Sequence, residues 1–367
     1  MRNIVLLIAL AMSLAVRGQQ VKMPRGSKLA SVSEQVGITD VTIHYSRPGV
    51  GGREGKIWGD LVPYGFVDYH YGTSKAAPWR AGANENTTIE FSTDVTIEDQ
   101  PLAAGKYGFF IAMGPEKATL VFSKDNNAWG SFYYNAAHDA LRVVVPVSKA
   151  PESVERLSYE FSAETDSSAV VTLVWEKVRI PFTVAVNLKK TRVEAYRYAF
   201  NSGEFYEYWQ NMQQAAEFCL DNDVDIEEGL DWADRSINTY FGEANFRTLS
   251  TYAGLLDKVG RHHESDSLMK IAFPKGNVED LFGYGSRQVR LKNNKAAFDV
   301  FKMAYDKEPK NWLASFGMAK GYAAMGDRVA ALKYTDSAIR LMGEWMAKPY
   351  VERFREALAD GKDVSGF

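Results

Sequence analysis

A single cysteine, Cys219, stands in a chain of 367 residues, so an intrachain disulfide is excluded. Stability must come from packed cores, which a chain of this length can supply. Cys219 lies in AAEFCLDN at helical spacing from Ala215 and Ala216, with no histidine beside it, and reads as a core thiol rather than a nucleophile. Histidine is scarce too: His44, His70, His138, His262 and His263 are the full set, and none falls in H-x-x-x-H or H-E-x-x-H spacing. His262 and His263 are adjacent, so on a helix they diverge by roughly 100° and cannot form one ligand face. The expectation is no metal and no cofactor. A net charge of −3 without a long basic run argues against a nucleic-acid partner. Serine–lysine acylase spacing is missing around Ser74 and Lys75, and GVGGREGK lacks the strand-to-helix setting of a phosphate loop.

What is present begins with an export signal. Arg2 precedes the apolar run Ile4–Val16, and Val16 and Gly18 occupy the small positions before a cut at Gln19. That run is shorter than the roughly 20 residues a bilayer span needs. No cysteine follows it, which closes the lipoprotein route. Residues 1–18 are therefore expected to be a cleaved signal peptide, leaving a periplasmic or extracellular protein without a membrane span.

The rest of the chain has two periods. From Val36 to about Leu188 the period is two, as in Val41, Ile43 and Tyr45 against Thr42, His44 and Ser46. Further strands are expected at 106–113, 118–123, 141–147, 156–163, 169–177 and 180–188, separated by EDQP, MGPE and KDNN. Many short strands with no helix between them predict an antiparallel sandwich or barrel over residues 21–188. After Lys189 the period becomes helical. Ala297 and Ala331, and Ala304 and Ala338, are each 34 residues apart, with Gly285 and Ala319 holding the preceding small position. That is the period of tetratricopeptide repeats, which the chain resembles over 278–341, with a looser register upstream. An α+β chain of two domains follows, with an all-α repeat stack over 195–367 suited to contacting a protein partner.

VTIHYSRPGVGGR, IWGDLVPYG, WRAGANENTTIEFSTDV, LAAGKYGFF and WGSFYYNAAHDALRV occur in that order between Val41 and Val143. Together they resemble the bacterial family known as domain of unknown function 2911, over roughly residues 28–188. The resemblance implies a secreted β-rich domain, common in Bacteroidetes and often followed by helical repeats, and it implies no activity. GVGGREGKIWG is richer in glycine than the usual run, which leaves the surroundings of Arg53 open.

The candidate ligand-binding residues lie in the loops of these motifs: Arg53, Trp79, Arg80, Asn84, Glu85, His138, Asp139 and Arg142. Arginine forks suit carboxylate or phosphate. Arg47, Arg53, Arg80 and Arg142 could line an anion cleft, or each could pin a loop. Arg80 and Glu85 are either a mutual salt bridge or a site. YGFVDYHYGTS, with Tyr64, Phe66, Tyr69 and Tyr71, reads as a packed or sugar-facing loop. The reading is a non-catalytic exported binding or scaffold protein, its β-domain taking a glycan, peptide or anionic envelope ligand. The alternative is an envelope hydrolase working through Glu85 or Asp139.

Overall fold

The structure, a computed structural model, describes residues 23–202 and 208–367. The expected signal peptide lies outside them. Two compact units divide between Arg192 and Val193.

The first unit is a sandwich of two antiparallel sheets. One has six strands in the order β1 (Lys28–Val36), β2 (Thr39–Arg47), β3 (Thr87–Phe91), β6 (Gly105–Ala112), β7 (Lys117–Ser123), β8 (Asp139–Pro146). The other has four: β5 (Gln100–Leu102), β4 (Val95–Ile97), β10 (Ser168–Ala185), β9 (Ser148–Ser162). Alternation sends Val41, Ile43, Ile89, Phe91, Phe109, Leu120 and Phe122 from the first sheet against Leu157, Tyr159, Leu173, Trp175 and Phe182 from the second. The strands expected at 169–177 and 180–188 are one strand, β10. Its register against β9 shifts on both sides of Glu176, whose φ of 52° marks a bulge that bends the strand without ending it. β1 was not legible as a strand. It is an edge, mostly exposed, and pairs only with β2.

The long segment between β2 and β3 runs along the far end of β6, through bridges of Tyr64 to Met113 and Trp79 to Ile111. It lies beside the loop between β7 and β8. Beneath that loop Phe110 and Val121 face outward from the six-stranded sheet and are covered by Tyr134. This second, smaller core carries the candidate site.

The second unit is helical: α1 (Leu188–Ser202, which begins in the first unit), α2 (Trp209–Asn222), α3 (Ile226–Asn238), α4 (Phe246–Lys258), α5 (His262–Lys275), α6 (Val278–Arg290), α7 (Asn294–Lys307), α8 (Trp312–Ala324), α9 (Arg328–Met342) and α10 (Lys348–Ala359). The stretch 189–194, between the two expected domain ranges, is thus helix. From α6–α7 to α8–α9 both helices of the pair advance by 34 residues, and from α4–α5 to α6–α7 by 32. Ala297, Ala304, Ala319, Ala331 and Ala338 are all buried where paired helices meet. Phe301 is fully buried against Gly285, Gly317 and Gly321, whose missing side chains leave room for its ring. The small residues are therefore a packing requirement. Cys219 is buried in the α2–α4 core, and burial pushes its thiol up to about 12. Among the described residues no helix is long and apolar enough to cross a membrane.

Candidate functional site

Six of the eight expected residues meet the loop from Lys124 to Asn135, or the turn that follows it. Asn86 accepts from the Ala128 amide at 2.9 Å and donates its own amide to the Ala128 carbonyl at 2.9 Å, pairing the two loops. The Asn84 carbonyl takes the Gly130 amide at 3.1 Å, and Glu85 bridges Trp129. Asn84 and Ala81 have φ of 61° and 51°, the left-handed region that a tight loop between strands requires.

Arg80 donates to the Asn84 carbonyl at 2.8 Å and lies 5.3 Å from the centre of the Phe132 ring. Its burial lowers its pKa, only partly offset by Tyr69. Glu85 is not its partner. Both Glu85 oxygens are taken by Arg25, at 2.7 and 2.9 Å, and that bond holds the carboxyl below its usual range. The mutual Arg80–Glu85 bridge is thus not formed, and each side chain has its own partners.

Asp139, Arg142 and Tyr134 form a closed triangle. Asp139 Oδ2 accepts from the Tyr134 hydroxyl and from Arg142 Nε, each at 2.6 Å, and Arg142 Nη2 donates to the Tyr134 oxygen at 2.7 Å. Burial and the Asp139 carboxylate raise the Tyr134 phenol far out of its working range. Burial lowers Arg142, but the Asp139 and Tyr134 oxygens outweigh it. His138 Nδ1 lies 2.8 Å from Asp125 Oδ2, across the mouth of the same loop.

The remaining two residues are elsewhere. Trp79 is corrected to a core residue: its ring stacks on Trp175, meets Trp58 edge-on, and its N–H is spent on the Gly82 carbonyl at 3.1 Å. Arg53 binds the carbonyls of Val50 and Gly49 at 2.9 and 2.7 Å, holding its own turn. Arg47 likewise donates to the Leu157 carbonyl. The four arginines have separate partners: Arg53 and Arg80 hold their own loops, Arg142 pairs with Asp139 and Tyr134, and Arg47 reaches the Leu157 carbonyl of β9.

Beside Tyr71, whose loop the sequence marked as packed or sugar-facing, the sequence reading missed the rim formed by Trp129 and Tyr133. A cavity of about 540 Å³ opens under the loop, lined by Phe110, Asp125, Asn127, Trp129, Tyr133 and Tyr134 among others. Trp129 and Tyr133 are each 59% exposed and Tyr71 is 62% exposed. Tyr71 is braced edge-on by Phe132 at 5.1 Å and by Tyr133 at 6.5 Å. In the run WGSFYYN the exposed Trp129 and Tyr133 alternate with the packed Phe132 and Tyr134. A second cavity of about 260 Å³ holds His44, Ser46, Glu85 and Asn86 on the other side of Asn126–Ala128. Among the described residues no group of histidine, cysteine and carboxylates could hold a metal ion.

Among solved structures the chain is similar to MamA, at 10% identity and TM-score 0.28, covering 42% of this chain and 89% of that one. It is also similar to YrrB, described as a TPR protein with an unusual peptide-binding site, at 16% identity and TM-score 0.27, covering 45% and 84%. MamA 41-end from Desulfovibrio magneticus RS-1 follows at 13% identity and TM-score 0.26, covering 41% and 89%. None of the curated proteins matches the sequence. The sandwich is a different matter: residues 27–184 match the family described as "Protein of unknown function (DUF2911)", and the sandwich domain belongs to it.

Proposed function

We propose that this chain is an exported, non-catalytic binding protein of the bacterial envelope. In this reading the sandwich binds a glycan at its aromatic loop, and the helical repeats bind protein. The observation that carries it is the cavity of about 540 Å³ whose rim exposes Trp129 and Tyr133. A sugar ring has one apolar face and hydroxyls on its edge. Flat aromatic faces beside Asp125, Asn127 and His138 suit both sides of such a ligand. Export rests on the apolar run after Arg2. Protein contact rests on the stacked helix pairs, which present an extended surface built from α2, α4, α6 and α8.

The hydrolase alternative draws less support. Glu85 spends both oxygens on Arg25, and Asp139 is locked with Tyr134 and Arg142. A general acid or base needs a titrating oxygen within reach of substrate. An array of envelope glycans, including peptidoglycan fragments, tests the proposal. Retention of the full chain on a defined subset is expected, and retention on none would overturn the glycan assignment. Fractionation with N-terminal sequencing should find the chain outside the cytoplasm, beginning near Gln19.

A further inference from the structure

The segment that follows α10 folds back onto the helical stack. After α10 the backbone reverses at Gly361, whose φ of 73° and bonds from Gly361 to Leu358 and from Lys362 to Ala357 form a left-handed helix cap. The segment Asp363–Phe367 then returns across α8 and α10. Val364 packs into the cluster of Phe316, Val351 and Phe354. The Phe367 ring meets Phe354 edge-on at 5.5 Å and Tyr350 at 5.6 Å. The Phe367 carbonyl accepts from Lys320 Nζ at 2.6 Å.

Lys320 is the unusual member. It is only 6% exposed, it also donates to Ser286 at 3.0 Å, and it lies 5.3 Å from the Phe282 ring. Among the described residues no aspartate or glutamate pairs with it, and its oxygen partners are Ser286 Oγ and the Phe367 main chain. A buried cation needs compensation, and here the returning segment supplies the nearest oxygen. Yet the segment does not close the space. A cavity of about 440 Å³ remains beside it, lined by Arg290, Lys292, Lys320 and Lys362, with Asp363 as its one acid. Ser365 and Gly366 are exposed. Two anchoring side chains over an unfilled basic cavity make a lightly held segment, unlike the packed helices beneath it.

We propose that Asp363–Phe367 is a resident ligand of the groove, held in cis and displaced when a protein partner binds. The partner supplies an extended segment of the same chemistry: an aliphatic side chain, an aromatic one three residues later, and a carbonyl for Lys320. This rests on the reading that the repeats bind protein. The segment then acts as an autoinhibitory contact, because a partner must first compete with it.

The test uses a dye-labelled peptide of residues 360–367, capped at both ends, titrated into the full chain. The comparison is with a double variant, Val364→Ser with Phe367→Ser, which frees the segment. Where the resident segment is closed more than nine-tenths of the time, the peptide should bind the variant at least about ten-fold more tightly. Adding Lys320→Met to that variant should abolish the gain. Equal affinity for both forms would overturn the proposal. A measurement on the unaltered protein covers misfolding of the variant. Saturating peptide should speed amide hydrogen exchange at 363–367 while leaving α8 and α10 unchanged, and unchanged exchange at 363–367 would refute displacement. A random peptide library separates the two levels. Binders that ignore the segment would leave the groove reading standing and remove the cis ligand, whereas an absence of binders to either form would remove both.

Discussion

Replacing Gly285 by alanine sets two known effects against each other inside one helix. Alanine in place of a mid-helix glycine favours the helix by about 1 kcal/mol. At this position, however, the new methyl would stand 2.6 Å from the Phe301 ring, so an ordinary 3.4 Å contact requires the ring to retreat by about 0.8 Å. The ring cannot retreat freely. Phe301 is fully buried, and Gly317 and Gly321 already bring it within 2.8 and 3.1 Å of where their own side chains would be. Overpacking of this kind costs about 1–3 kcal/mol, and the poor room for relaxation places it at the upper end. The net expectation is a loss of about 1–2 kcal/mol, or about 2–8 °C in melting for a unit of this size. Far-UV circular dichroism, which follows the helices, is the assay. Phe301→Leu in the same chain should recover part of the loss, giving a coupling above about 0.5 kcal/mol. A Gly285→Ala protein that melts at or above the parent would show that helix propensity wins, and that small residues are not required for the repeat to pack.

Three further expectations follow from the charges. Glu85→Gln should change melting by less than about 1 kcal/mol, because the Arg25–Glu85 pair is exposed on both sides, and a large loss in urea unfolding would contradict this. Asp139→Asn should cost roughly 2–3 kcal/mol, less than a fully buried pair, because Asp139 is 8% exposed but Arg142 is 41% exposed; an unchanged urea midpoint would contradict it. Burial, with help from Arg290, lowers Lys320 from 10.5 to about 8, so across that window the unfolded chain binds more protons than the folded one. Stability of the helical unit should therefore rise with pH between those values, and Lys320→Met should remove that part of the slope.

The sandwich was legible because central strands alternate, as Val41, Ile43 and Tyr45 do in β2 and Ile89 and Phe91 in β3, although in β7 the outward Val121 is buried as well. It failed where that condition fails. β1 lies at the sheet edge, where Leu29 is exposed and Ala30 and Val32 are only partly covered by the core, so its period is weakly marked. β10 was split between 177 and 180, whereas the strand runs on through the bulge at Glu176. The repeat was legible for a stronger reason: close helix contacts demand small residues at fixed spacing. The site was half legible. Six of the eight loop residues singled out lie in one neighbourhood and Arg53 and Trp79 do not, while the partners of the six were not legible. Arg25 reaches Glu85 from sixty positions earlier, and nothing local to either residue announces it. Trp79 looked like a loop residue because it lies outside any regular strand, yet its bridge to Ile111 carries it into the core. The exposed rings at Trp129 and Tyr133 were hidden among rings that pack, since only the fold distinguishes Phe132, braced by Tyr69 and Arg80, from its two neighbours.

Trp129→Ala and Tyr133→Ala, each measured for glycan retention and for melting side by side, test the central claim most directly. Both side chains are more than half exposed, so truncation should leave the melting temperature within about 1–2 °C of the parent. If the rim binds a sugar ring, each variant should lose retention on every glycan that holds the parent protein. Retention that survives both substitutions would place the ligand elsewhere, and the aromatic loop would then be only a cover for Phe110 and Val121.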